Sequence, residues 1–196
     1  MMSDWTIYLA STSPRRKALL TQVGVPFQPC VIDIDESVLP DEAPAVYVAR
    51  LARAKAAAAF AQLVHAHDAI VIAADTTVTI EGHILGKPCD QADAFAMWER
   101  LSGRTHQVMT GVAVATETQV RVQVVVTDVE FSTLTPAQMH AYWASGEPIG
   151  KAGGYAIQGL GAGFIPRIEG SYSNVVGLPL VETLRLLEQA GYMITD

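Results

Sequence analysis

Apolar residues occur along the chain in two rhythms. Short continuous runs read as strands, at residues 7–10, 27–34 and 68–75. The third run, Asp-Ala-Ile-Val-Ile-Ala-Ala-Asp, is the composition of a central strand buried on both faces. Residues 76–80 continue it, and Glu81-Gly82 makes a hairpin turn. Two longer β-rich runs, 107–116 and 120–133, meet near Glu117-Thr118 as an antiparallel hairpin. Residues 164–168 and 171–176, joined by Glu169-Gly170, read as another hairpin. Helical spacing covers 14–23, an Ala-rich stretch at 43–64, a segment from Asp90 to Leu101, another opening at Thr135-Pro136, and an amphipathic closing stretch at 178–190. A glycine-rich loop fills 150–163. The pattern predicts an α/β fold with a mixed sheet and a central cleft in one domain over residues 1–196, a length that also allows two lobes.

The first strand-to-helix junction adds chemistry. After Ala10 come Ser11-Thr12-Ser13, then Pro14-Arg15-Arg16. A Ser cap followed by Pro at the first helical position is a strong helix start. It puts two arginines in the first turn, where the helix dipole is already positive. Cations placed against the dipole suit an anion held between hydroxyls, backbone N–H groups and guanidinium forks, and phosphate fits best. Two solvated arginines after an ordinary cap would look the same in sequence.

Composition narrows the ligand. The chain of 196 residues is half hydrophobic and carries a net charge of −7. That balance argues against nucleic-acid binding, which needs a broad basic face. No apolar stretch approaches the roughly 20 residues of a membrane span. Cys30 and Cys89 form no CxxC pair, and the N-terminal residues lack a signal pattern, so a reduced cytoplasmic protein is expected. The basic residues gather in two groups, Arg15-Arg16-Lys17 and Arg50, Arg53 and Lys55. An acidic chain with local basic pockets suits a small polyanion better than a polymer.

Several residues could complete such a site. Asp75 closes the most apolar strand, where open α/β sheets bind ligands. Glu36, in an Asp-Glu pair at the end of the second predicted strand, could join it in holding Mg²⁺ or Mn²⁺. A turn-capping Asp and a solvated acidic loop before Pro40 are the plainer readings of these two. Lys55 and Lys87, with Arg15, Arg16 and one divalent ion, would balance the roughly four charges of a nucleoside triphosphate. Gln158 is the carboxamide of the glycine-rich loop and could read a donor and an acceptor on a base edge. The loop is neither a Walker A motif nor a framed dinucleotide fingerprint. The five histidines make no metal pattern; His65 and His67 are two apart, which on a helix faces them away from each other.

The ordered segments Ser-Thr-Ser-Pro-Arg-Arg (11–16), Asp-Glu (35–36), Ala-Arg-Ala-Lys (52–55), Ala-Ala-Asp-Thr (73–76) and Gly-Lys-Pro (86–88) belong together. Leu-Ser-Gly-Arg-Thr-His-Gln-Val (101–108), Lys-Ala-Gly-Gly-Tyr-Ala-Ile-Gln-Gly (151–159) and Val-Val-Gly-Leu-Pro (175–179) follow in order. The set closely resembles the Maf family of nucleoside triphosphate pyrophosphatases, also linked to septum formation. The resemblance covers nearly the whole chain. It implies a fold similar to the inosine triphosphate pyrophosphatases and a homodimer. It matches Asp75 to the family's catalytic proton acceptor. It matches Arg15, Thr76 and Gln158 to positions that sort substrates, in the combination of the subgroup acting on dTTP and UTP. Ser11, Ser13, Arg16, Glu36, Lys55 and Lys87 match the polar positions around the triphosphate and metal. Gly154 stands where many relatives have Ala.

The expected reaction is hydrolysis of a pyrimidine nucleoside triphosphate to monophosphate and pyrophosphate, with roles implied in nucleotide-pool sanitation and arrest of cell division. Asp75 is expected as base first, with metal ligation by Asp75 and Glu36 compatible. A nucleotide sensor that binds without turnover is the rival, since binding and hydrolysis share the same cations.

Overall fold

The computed structural model describes residues 5–63 and 67–193. His65, and the end of the stretch expected to be helical to residue 64, lie outside them. A seven-stranded mixed sheet carries the molecule. Its strands are β1 (Thr6–Ala10), β2 (Gln28–Cys30), β3 (Ala69–Ile80), β4 (His83–Leu85), β5 (Thr105–Ala115), β6 (Val120–Glu130) and β7 (Arg167–Glu169). They lie in the order β2-β1-β3-β5-β6-β7, with β4 also paired to β3. β1 runs parallel to β2 and β3, and all pairings beyond β3 are antiparallel. The helices are α1 (Pro14–Gln22), α2 (Pro44–Ala61), α3 (Gln91–Leu101), α4 (Pro136–Ala144), α5 (Tyr172–Val176) and α6 (Leu180–Gln189). Among the described residues no helix is long and apolar enough to cross a membrane.

Local chemistry accounts for the helix starts. The Ser13 hydroxyl accepts from the Arg16 N–H, and Asp90 does the same for Asp93. Thr135 and Gln138 form a reciprocal capping box. Glu81 and Gly82 both have positive φ, 52° and 79°, as the tight β3–β4 turn requires.

Three apolar clusters divide the interior. One packs α1 and α6 on one face of β1, β3 and β5 through Leu9, Leu20, Ile70, Ile72, Leu178 and Leu187. A second builds the other lobe from Val78, Leu85, Trp98, Leu101, Phe131 and Tyr142. The third is almost all alanine: Ala52, Ala56 and Ala59 of α2 meet Ala73, Ala113 and Ala115 of the sheet. Small residues on both sides allow α2 to lie close to the strands. Gly111 sharpens this approach, since a Cβ there would come within 2.3 Å of the Val48 carbonyl oxygen.

Three expectations need correction. The second strand ends at Cys30 rather than reaching residue 34, because residues 31–37 leave the sheet edge as irregular chain. The run 120–133 ends as a strand at Glu130. Residues 171–176 are not the second arm of a hairpin. Ser171 caps α5 by accepting from the Asn174 N–H, and β7 pairs with β6 instead. Two adjacent valines gave that segment the look of a strand, but a cap residue and the tertiary setting outweigh so weak a preference.

Candidate active site

The register of the sheet opens the site. β1 ends at Ala10, opposite Ala73, and β4 begins its pairing at Val78. Residues 74–77 of β3 therefore have a strand only on the β5 side. The gap lies just past the carboxyl end of β1, where open sheets bind ligands. A cleft of about 480 Å³ fills it, within the usual range of small-molecule sites. All ten residues singled out above border this cleft.

Successive residues of β3 point to opposite faces. Asp75 turns toward α2, which brings Lys55 to it: the Lys55 Nζ lies 2.7 Å from Asp75 Oδ1. The same ammonium lies 2.6 Å from Glu36 Oε1. Lys55 and Asp75 are both nearly buried, with side chains 12 % and 11 % exposed. Burial opposes ionisation of Glu36, but the hydrogen bond and charge of Lys55, helped by Lys87 and Arg16, hold its carboxyl below the usual range. Two carboxylates thus converge on one cation.

Glu36 does not stand at a strand end, as expected. It sits six residues past β2, on chain that α2 straps down. Tyr47 donates to the Glu36 carbonyl at 3.0 Å. Arg50 donates to the Ser37 carbonyl at 2.9 Å and forms a two-pronged pair with Glu42 at 2.6 and 2.7 Å. The basic group Arg50, Arg53 and Lys55 is therefore split. Arg50 holds the loop, Arg53 reaches the Val120 carbonyl at 3.4 Å, and Lys55 alone enters the cleft. Tyr47 also lines the cleft, and burial together with the charges of Asp75 and Glu36 pushes its hydroxyl up to about 12.

Thr76 turns to the other face. Its hydroxyl meets Thr110 Oγ1 at 2.9 Å and accepts from Arg16 Nη2 at 3.0 Å. Arg16 further donates from Nε to the Gly177 carbonyl at 2.7 Å and from Nη1 to Ser11 Oγ at 3.4 Å. Burial pulls Arg16 below the usual guanidinium range, and Asp75 acts against that. Arg16 is thus a strut between α1, β3 and the loop before α6, with only part of its fork facing the cleft. Gly177, at φ 128°, supplies the carbonyl it needs.

Arg15, Lys87 and Gln158 complete the rim. Lys151 joins them, a cleft cation that the sequence reading passed over. Burial, and secondarily the neighbouring Arg15 charge, lower its pKa. A lysine inside the glycine-rich loop was the available signal. The cleft gathers Arg15, Arg16, Lys55, Lys87 and Lys151 against Asp75 and Glu36. This excess of positive charge matches a polyphosphate. Asp75 and Glu36 are a hard oxygen pair that could hold a divalent cation. No group of three His, Cys, Asp or Glu forms a metal site among the described residues, so phosphate and water would have to fill the other positions.

Comparison with known proteins adds a second line. A family model described as Maf-like protein matches residues 6–190. The chain is 53% identical over 181 residues to the dTTP/UTP pyrophosphatase of Acinetobacter baylyi, covering 92% of this chain and 97% of that one. It is 54% identical to the protein of that name from Pseudoalteromonas translucida, covering 93% and 95%. It is 53% identical to the one from Escherichia coli O157:H7, covering 93% and 91%. Among solved structures, a nucleoside-triphosphatase / dITP/XTP pyrophosphatase from Mycobacterium abscessus is similar at TM-score 0.46 and 16% identity, covering 94% of this chain and 97% of that one.

Proposed function

The chain belongs to the Maf family, and we propose that it hydrolyses dTTP and UTP between the α- and β-phosphates, releasing the nucleoside monophosphate and pyrophosphate. The observation that carries this reading is the meeting of Asp75, Lys55 and Glu36 in the open edge of β3, beside the arginine-bearing start of α1. Relatives of that name share half its residues over nearly the whole chain.

In this reading the triphosphate lies along the cations of the cleft. The start of α1 offers N–H groups and the Ser11 and Ser13 hydroxyls, and Arg15 adds charge. Asp75 accepts a proton from the attacking water as its oxygen bonds to the α-phosphorus. The bond from that phosphorus to the bridging oxygen breaks, and the electron pair leaves with pyrophosphate. Arg15, Arg16, Lys87 and Lys151 stabilise the charge that builds on the leaving group. Lys55 pairs with both acids and fixes their spacing. Asp75 and Glu36 would hold Mg²⁺ or Mn²⁺, which when bound supplies charge to the phosphate and acidifies water. Gln158 faces the base and Arg15 helps sort the substrate. Thr76 acts on that choice through Arg16, because its hydroxyl is already engaged.

A product-resolved assay tests the reading. Purified protein with dTTP or UTP and Mg²⁺ or Mn²⁺ is expected to yield the monophosphate and pyrophosphate. Release of the diphosphate and inorganic phosphate would overturn the bond assignment. Binding without turnover would make the protein a sensor. Sedimentation would test the homodimer, which rests on family resemblance.

A further inference from the structure

The loop that carries Gln158 is tied down by two side chains that do not border the cleft. The Glu147 carboxylate accepts from the Leu160 N–H at 2.7 Å and the Gly161 N–H at 2.9 Å. It also accepts from the Tyr142 hydroxyl at 2.5 Å. That hydroxyl in turn accepts from the Ala156 N–H at 3.1 Å. Backbone amides on both sides of Gln158 are therefore pinned to one hydrogen-bonded pair. Tyr142 is itself nearly buried, with Trp98 and Phe164 packed against its ring. Burial opposes the Glu147 charge, but its three donors hold the carboxyl below the usual range.

Two glycines are explained by this arrangement. A Cβ at Gly159 would fall 1.7 Å from Glu147 Oε1. A Cβ at Gly161 would meet the Ala156 carbonyl at 2.6 Å and the Tyr142 hydroxyl at 2.7 Å. The backbone turns so closely around the Glu147–Tyr142 pair that a Cβ at either glycine would force the pair or the loop to shift. The Glu147 carbonyl also accepts from Lys151, so the same segment sets one cleft cation.

From this geometry we infer that Glu147 and Tyr142 are positioning residues for base selection, acting through the backbone on Gln158 without touching substrate. The inference rests on the pyrimidine triphosphate reading. A carboxamide discriminates bases only if its distance from the bound base is fixed, because a wrong base is rejected by leaving buried polar groups unpaired. Freeing residues 156–161 would let Gln158 follow whichever base enters.

The test compares wild type, Glu147→Gln, Tyr142→Phe, Gln158→Ala and the Glu147→Gln/Gln158→Ala double variant on dTTP, UTP, CTP and dATP. Glu147→Gln is expected to lower kcat/KM for the preferred nucleotides roughly tenfold, mainly through KM, and to change the poor substrates less than about threefold. The double variant is expected to lose no more selectivity than Gln158→Ala alone, as two residues acting through one contact do. Tyr142→Phe keeps the ring in place and is expected to give a smaller shift in the same direction. Faster exchange of the Ala156, Leu160 and Gly161 amides would accompany both variants while the melting transition stays cooperative. Equal loss on every nucleotide, or additive loss in the double variant, would overturn the inference. If wild type prefers another base, the substrate reading fails, and the positioning role is then judged by whether that preference contracts in the same non-additive way.

Discussion

Gly111 lies directly across the β3–β5 ladder from Asp75, and the missing side chain on one strand allows α2 to bring Lys55 to the carboxylate on the other. Cross-strand partners share a face of the sheet. Any Cβ at Gly111 would press into the Val48 backbone, about two helical turns before Lys55. Gly111→Ala is therefore expected to cost about 2 kcal/mol or more in stability, as overpacking of a tight interface does. It should also lower kcat by displacing Lys55. Denaturant melts and steady-state kinetics on the same preparation check both; an unaltered melt would show that the helix moves away freely.

Lys55 neutralises two acids at once, so its removal leaves Asp75 and Glu36 facing each other without a counter-charge. Lys55→Met should reduce kcat by roughly a hundredfold, the scale of losing one preorganised electrostatic contact. Lys55→Arg should rescue little, because a planar guanidinium cannot sit as a point charge between the two carboxylates. Asp75→Asn should keep its fold and lose turnover. Near-normal rates in Asp75→Asn would remove it from the catalytic role.

His106 is buried against Tyr155 and Phe131, with Nε2 at 2.6 Å from the Tyr155 hydroxyl. Burial lowers its pKa to about 4, and the charge of Asp128 only partly opposes this. Below the unfolded value near 6.5 the unfolded chain binds the proton that the folded chain refuses. The contribution is thus complete above that pH and is lost as pH falls through about 4. It amounts to about 3 kcal/mol over the window. His106→Gln keeps a partner for Tyr155 and cannot titrate, so its stability should be flatter between pH 6.5 and 4. Parallel profiles for the two proteins would contradict this.

The loop bearing Glu36 has its own acid sensitivity. Hydrogen bonds from Arg50, together with the Leu39 N–H and against a burial penalty, hold the Glu42 carboxyl at about 2. A depressed carboxylate stabilises the fold above its unfolded value near 4.5 and loses that contribution as pH falls toward 2. Glu42→Gln should flatten the stability profile there and raise KM at neutral pH, because the strap from Arg50 to the loop is weakened. Unchanged KM would separate the loop from the site.

The local rules of helix starts, tight turns and apolar runs made most elements legible. Pro14, Asp90 and Pro136 announced their helices, and the run around Ile72 announced the central strand. Most of the residues that border the cleft were marked in sequence too, Ser11 to Arg16 at a helix start and Glu36, Lys87 and Gln158 in loops, whereas Lys55, Asp75 and Thr76 lie inside their elements and stood out only by their chemistry and by family resemblance. What stayed hidden depends on distant partners. Nothing near Gly111 in sequence tells that α2 will cross it, and nothing near Arg16 tells that Gly177 will accept its Nε proton. Glu147 carries no mark of its own in the sequence: Tyr142 is five residues away, but the Leu160 and Gly161 amides it holds lie thirteen and fourteen residues off. The segment 171–176 misled because Val175-Val176 favours a strand while Ser171 dictates a helix.

The early end of β1 has one more consequence. Where Ala10 stops, a longer strand would have covered residues 74–77 and consumed their outward-facing peptide groups. A small molecule seated there takes the berth of an absent strand, and can be met by main-chain donors and acceptors as well as by side chains. That share of recognition is written in the register of the sheet, so point substitutions along the cleft leave it in place, whereas a β1 extended along residues 74–77 would erase it.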